Sequence, residues 1–287
     1  MSIESALTLI ESVKDYCVLF VGDTILDEYH YVRPLGKSPK EYLIPVEFHS
    51  KEVFHGGVDA AANHCRAFCK QVEVASVGLI TRKIRMIDNI YKRKLFEVHY
   101  NGERIARQTA LSDRDVLVIA DFGHGAITDV VLDNIRNEFV AVACQTNSSN
   151  IGFNLITKYA RADYIVIDEP EARLAAADRD SPIEDVILKL AKDRCGKFVV
   201  TLGHHGAIGW EKGRFFHTKA MSREVTDTMG AGDAFFAVTA PMAKTGSIED
   251  LLLIGNAAGA LKCGIIGHRE SVTKEHLIEF LRTHGPR

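Results

Sequence analysis

Short apolar runs alternate with amphipathic stretches along most of this chain. The runs at Cys17–Gly22 (CVLFVG), 72–77, 115–122, 139–145, 162–168 and 197–203 show little polar alternation. Runs of that kind predict strands covered on both faces, the situation of a parallel sheet sandwiched between helices. The stretches around them have helical spacing. Ile3, Leu7 and Ile10 share one face of a helix expected over about 3–14. Further helices are expected over 59–70, near 128–137 and 182–194, and, past Gly230, over about 231–245, 248–263 and 273–283. The pattern predicts an α/β fold: a central, mostly parallel sheet with helices on both faces.

Two segments break the rhythm. Residues 28–54 and 82–101 alternate apolar and polar positions and are rich in Tyr, Phe and Val. Alternation of period two predicts strands with one wet face, hence a small second sheet. Each segment follows closely on a strand of the main sheet, so the small sheet is expected to project over the strand ends as a lid. Exposed edges on such a lid favour pairing with a second copy, which predicts a homodimer. No repeat, low-complexity stretch or linker divides the sequence, so residues 1–287 are expected to form one domain.

Composition narrows the function. The 287 residues are 46% hydrophobic and 25% charged, the mixture of a folded globular protein, and the net charge is only -3. No basic surplus points to nucleic acid. No apolar run approaches the roughly 20 residues that span a bilayer. Glu4 and Glu11 in the opening segment argue against a signal peptide, so a cytoplasmic protein is expected. Cys65 and Cys69 have helical spacing but no second pair to complete a metal site, so the six scattered cysteines read as small buried side chains.

Candidate chemistry concentrates at Asp227-Thr228-Met229-Gly230-Ala231-Gly232-Asp233, which opens a small, apolar helix. Small residues let a ligand approach the backbone, and the unpaired N–H groups of a helix start attract an anion. Asp233 in the first turn is a poor phosphate ligand by charge but a suitable group to orient or deprotonate an attacking hydroxyl. By itself the pattern fits equally a tight turn with Asp233 as a capping residue.

That motif, DTMGAGDAFFA, resembles the C-terminal signature of the ribokinase/PfkB family of sugar kinases, Asp-Thr-x-Gly-Ala-Gly-Asp. Other segments are similar to family features in the expected order. HGGVDAAANHCRAF (55–68) resembles the N-terminal Gly-Gly…Asn signature, with one or two extra residues before Asn63. VGDTILDEY (21–29) and SPKEYLIPVEF (38–48) resemble the opening of the heptose-7-phosphate kinase branch, the kinase half of ADP-heptose synthase. VTLGHHGAIGW (200–210) is similar to the nucleotide-side turn, and 256–277 to the closing helices around the adenine site.

The resemblance implies a ribokinase-like fold and a carbohydrate kinase that uses ATP and Mg2+. It leaves open whether a monovalent cation joins them. Asp233 would be the catalytic base, and the N–H groups of Gly230, Ala231 and Gly232 the anion hole. Asp23, Asp27, Gly56, Gly57 and Asn63 would contact the sugar; Thr201, Gly203, Gly206 and Asn256 the nucleotide. Asp168 and Glu171, in Asp168-Glu169-Pro170-Glu171, would stand for the family's Asn-x-x-Glu magnesium motif. The residues alone also allow Asp168 and Glu171 simply to begin a helix with Pro170 in its first turn.

Several departures qualify the resemblance. After Ile80 some 25 to 30 residues of the family pattern, which help to wall the sugar site, are missing. Gln145, Asn147 and Asn150 replace an Asp-Pro-x-x-Arg-like turn. Lys92, Arg93, Lys94 and Arg85 are candidates for binding a substrate phosphate, and His124 for bordering the sugar pocket. No His-x-Gly-His motif is present, so if the chain is half of a bifunctional ADP-heptose synthase, the nucleotidyltransferase half would be on another chain or removed. The expected activity is phosphorylation of a sugar or sugar phosphate, with heptose 7-phosphate at its anomeric position as first choice. A kinase of another sugar or nucleoside, and a non-catalytic binding module, remain as alternatives. A dinucleotide-dependent oxidoreductase is disfavoured, because no Gly-x-Gly-x-x-Gly follows the first strand.

Overall fold

The structure, a computed structural model, describes residues 2–76, 78–105, 114–192, 194–221 and 225–285. The apolar runs pair into one eight-stranded sheet. Its strands are β1 (Cys17–Gly22), β4 (Gln71–Ser76), β7 (Val116–Asp121), β8 (Val140–Cys144), β9 (Ala162–Asp168), β10 (Cys195–Thr201), β11 (Ala207–Glu211) and β12 (Arg214–Thr218). The order is β12-β11-β10-β9-β8-β7-β1-β4. Pairing is parallel from β4 through β10, and the last two strands add an antiparallel edge. Val77, the last residue expected in the strand over 72–77, lies outside the described residues.

Alternate side chains of the runs feed two cores. Val18, Phe20, Val118, Ala141, Val166 and Val199 point to one face. There they meet α1 (Ile3–Ser12), α2 (Val58–Cys65), α6 (Ala231–Met242), α7 (Ile248–Cys263) and α8 (Lys274–His284). Leu19, Val21, Leu117, Ile119, Ile165 and Val200 point to the other, against α4 (Glu169–Ala176) and α5 (Ile183–Ala191). Complete burial of side chains this size is worth about 1.5–3 kcal/mol each, which explains why the runs carry no polar alternation. The short α3 (Asp129–Asp133) stands where a helix over 128–137 was expected, and the helix expected over 59–70 ends at Cys65. All six cysteines are free.

The lid is a separate four-stranded sheet of order β3-β2-β5-β6: β2 (Thr24–Pro34), β3 (Val46–Gly57), β5 (Gly78–Asp88) and β6 (Lys94–Ile105). β2 leaves the end of β1 across Asp23, and β5 leaves the end of β4 across a single residue. Ile80, after which the sequence reading places the missing segment, lies within lid strand β5. Both exits lie at the carboxyl ends of parallel strands. From β1 the chain turns first to β4 on one side and later to β7 on the other, the kind of switch point where open α/β sheets bind ligands.

Candidate active site

Asp233 lies in the first turn of α6, whose N-cap is Gly230. Gly230 takes φ +75, a left-handed conformation that costs glycine nothing and strains other residues. A Cβ there would sit 3.4 Å from Lys262 Cε, 3.8 Å from Asp233 Oδ2 and 3.8 Å from His268 Cε1, so three ionisable groups converge on this turn. Among the described residues no acceptor lies within reach of the Gly230 or Gly232 N–H, which leaves both for an anion. The Ala231 N–H, also expected in the anion hole, instead donates to Thr228 O at 3.3 Å.

Asp233 Oδ1 accepts a hydrogen bond from Gln145 Nε2. Burial raises the pKa of Asp233, while His268, the Gln145 bond, Lys262 and Lys83 pull the other way. A carboxylate with raised proton affinity, oriented by an amide and placed beside an anion site, is equipped to take a proton from a hydroxyl. Gln145 at the end of β8 has no spacing signal that sequence reasoning could use.

The lid supplies the facing wall. Asp27 on β2 pairs with Arg85 on β5 and lies 3.3 Å from His268 Nε2. Burial pushes the Asp27 carboxyl up, but the bonds and charges of His268 and Arg85 outweigh it and hold the pKa low. Gly56 admits this carboxylate: a Cβ there would lie 2.7 Å from Asp27 Oδ2. Gly57, at φ +61, caps α2, where a Cβ would lie 2.3 Å from Asp23 O. Tyr29 OH donates to Met229 Sδ at 3.3 Å and ties the lid to the Gly230 loop.

Lys83, opposite Asp27 in the β2–β5 register, is 9% exposed. It has no hydrogen bond or ion pair among the described residues. Burial and Arg85 lower its pKa, against Asp27, Glu97 and Asp23. Of the residues singled out for a substrate phosphate, Lys92 and Arg93 are exposed, Lys94 lies 3.6 Å from Asp227, and Arg85 pairs with Asp27.

Other expected residues differ in placement. Asp23 is fully buried, and its oxygens accept from Phe122 N at 2.9 Å and Ala126 N at 2.8 Å. It shapes the 122–126 turn instead of presenting a carboxylate to the pocket. Asn63 is not brought to the site: it stands exposed on α2 and accepts from Arg66. His124, on the turn held by Asp23, keeps a buried Nε2 without a partner, and burial with the charges of Lys83 and His99 lowers its pKa to about 4. It is a neutral imidazole available to a hydroxyl.

Asp168 and Glu171 form a capping box at the start of α4, with Pro170 in the first turn. Glu171 Oε2 accepts from Asp168 N at 2.8 Å, and Oε1 from Thr146 N at 2.9 Å. Burial, then the charges of Asp168 and Asp233, pushes its pKa up to about 8. Among the described residues no cluster of three or more His, Cys, Asp or Glu could hold a metal. Two carboxylates fit Mg2+ all the same, since that ion keeps several waters and binds phosphate oxygens alongside one or two carboxylates.

The residues expected to contact the nucleotide lie on β10, on the turn after it and on α7. Thr201 ends β10 in register with Asp168 on β9. Gly203 and Gly206 flank a tight turn closed by Leu202 N to Gly206 O at 2.7 Å. Asn256 on α7 donates to Leu252 O within its own helix.

A family model described as pfkB family carbohydrate kinase matches residues 129–275. The chain is similar to the bifunctional protein HldE of Shewanella amazonensis, 23% identical over 310 residues that cover 93% of this chain and 64% of the relative. It therefore spans less than two thirds of that protein's length. Among solved structures it is similar to a ribokinase from Thermotoga maritima (TM-score 0.71, 16% identity, 93% of this chain and 99% of that one). It is also similar to an Arabidopsis thaliana ribokinase complexed with ribose and ATP (TM-score 0.68, 14% identity, 93% and 99%). These likenesses establish the ribokinase-like fold.

Proposed function

The chain belongs to the pfkB family of carbohydrate kinases, and from that membership we propose that it transfers the γ-phosphoryl group of ATP to a hydroxyl of a phosphorylated sugar. The observation that carries the reaction is Asp233, oriented by Gln145 beside the open N–H groups of Gly230 and Gly232. The sugar hydroxyl attacks the γ-phosphorus while the bond to the β–γ bridging oxygen breaks, ADP leaves, and the hydroxyl proton passes to Asp233. Gly230, Gly232 and the α6 N-terminus face the charge on the transferring oxygens. Most of the acceleration then comes from positioning and fixed dipoles. Asp168 and Glu171 would hold Mg2+, which when bound would neutralise phosphate charge.

Lys83 favours a substrate that is already anionic. A nine-tenths buried ammonium without a partner is costly, and a substrate phosphate would pair it. Asp27, Gly56 and His124 would border the sugar; Thr201, Gly203, Gly206 and Asn256 the nucleotide. Resemblance of the opening segment to the heptose-7-phosphate kinase branch makes a heptose 7-phosphate, taken at its anomeric hydroxyl, the first substrate to try. A nucleotidyltransferase partner would then consume the product. The outer lid face, with exposed Phe48, Val53, Phe96, Val98 and Tyr100, supports pairing with a second copy. Six free cysteines suit a reducing cytoplasm.

The test is ADP release from Mg-ATP across heptose 7-phosphate, ribose, fructose and fructose phosphates. Turnover should be confined to a phosphorylated sugar. Asp233→Asn should lower kcat by roughly 100-fold or more, and Lys83→Met should raise KM for the phosphorylated sugar alone. ATP binding without turnover on any sugar would overturn the kinase assignment in favour of a binding module.

A further inference from the structure

Lys262, in the last turn of α7, is fully buried. Its three ammonium hydrogens match three acceptors, all main-chain carbonyls: Met229 O at 2.9 Å, Ile265 O at 3.3 Å and Gly267 O at 2.7 Å. Among the described residues no carboxylate touches Nζ. Burial lowers the lysine's pKa, and the charges of Asp227 and Asp233 act against that at longer range. A buried cation held, among the described residues, by neutral carbonyls keeps its charge available to the field around it. Its side chain passes directly beneath Gly230.

One of the three bonds reaches the anion hole through covalent geometry. Met229 O belongs to the same peptide unit as the Gly230 N–H, and a planar trans peptide points its C=O and N–H in opposite directions. Holding Met229 O on the ammonium therefore aims the Gly230 N–H towards the phosphoryl site and polarises it as a donor. The other two bonds tie in the turn that follows α7, whose His268 lies against Asp27. Carbonyl oxygens converging on a single positive charge are also the surroundings in which a monovalent metal ion gives up its hydration shell.

We propose that Lys262 is a tethered monovalent cation: it occupies a carbonyl cage behind the anion hole, positions the Gly230 N–H, and makes turnover independent of added potassium or sodium. This role rests on the kinase reading, but the cage can be tested apart from it.

The experiment uses the full chain in tetramethylammonium chloride at constant ionic strength, titrated with potassium, sodium or caesium chloride. Wild-type ADP release should stay constant within about twofold. Lys262→Ala should lose roughly 100-fold in kcat, the scale of one oxyanion donor, and potassium should restore about tenfold or more, saturably. Lys262→Met fills the space without charge and should not be restored. The thermal midpoint of Lys262→Ala should rise with potassium and not with tetramethylammonium, while the wild-type midpoint stays fixed. Potassium activation of the wild type would overturn the proposal. So would a Lys262→Ala chain that no cation rescues or stabilises, since that is the behaviour of a purely structural lysine. Should Lys262→Ala fail to fold, the wild-type titration decides. The melting data need no turnover, so an inactive wild type would sink the kinase reading while the cage is judged on those midpoints.

Discussion

Glu171 holds its carboxyl in a place that resists ionisation. It is buried and lies within the influence of two other acids, so its proton leaves only near pH 8. The folded chain therefore binds this proton more tightly than the unfolded chain. The contribution of Glu171 to stability falls as pH rises from the ordinary carboxyl range towards about 8. If Glu171 helps to hold Mg2+ as proposed, the ion favours the ionised form and must displace the proton below that pH. The Mg2+ concentration for half-maximal ADP release should fall by up to about tenfold per unit from roughly pH 6 upward and level off near 8. Glu171→Gln should flatten that dependence.

The same scale separates what a motif can reveal from what it cannot. Small residues before a helix start marked Gly230 and Asp233 as a candidate site, and the resemblance to the family signature gave them their expected roles. The partners of Gln145, Lys83 and Lys262 were not legible, since none of these residues stands in a spacing that betrays what it meets. Asn63 failed through helix phase. Val58, Ala61, Ala62 and Cys65 hold the buried face of α2, which turns Asn63 outward.

Among the elements, α6 and α7 carry the site between them, since one presents Asp233 and the other Lys262. They pack tightly at Gly255, where a Cβ would lie 2.4 Å from the Phe235 ring. A larger side chain must push α6 away from α7 and misplace both groups. Gly255→Val should destabilise the fold by about 1–3 kcal/mol, measured by denaturant unfolding, and should lower kcat more than it raises KM. The helices themselves were readable from their apolar spacing. The lid strands begin earlier than the expected 28 and 82, at Thr24 and Gly78, because each continues almost directly from a main-sheet strand. No local pattern marks where one sheet hands the chain to another.

At the level of the whole molecule, the lid divides its residues between two tasks. Asp27, Tyr29, Lys83, Arg85 and Glu97 share the face over the site, and the alternate positions share the outer one. There Phe96 is 50% and Tyr100 50% exposed. An apolar sheet face of this kind invites a matching copy. Sedimentation should give a dimer for the wild type and a monomer for Phe96→Glu, whose side chain points away from the site. A monomeric wild type would sink the pairing.

The sequence by itself determined the α/β class, the parallel sheet, the two lid segments and the Gly230–Asp233 turn. Each is written in local spacing: continuous apolar runs, period-two alternation, small residues before a helix. Only the tertiary structure decided which charges meet. Asp23 turned to the backbone, Asp27 to Arg85 and His268, Gln145 to Asp233 and Lys262 to three carbonyls. Those pairings join residues up to some 240 positions apart, and burial removes the water that would otherwise satisfy each group. The partner is then chosen by packing, which no local pattern encodes.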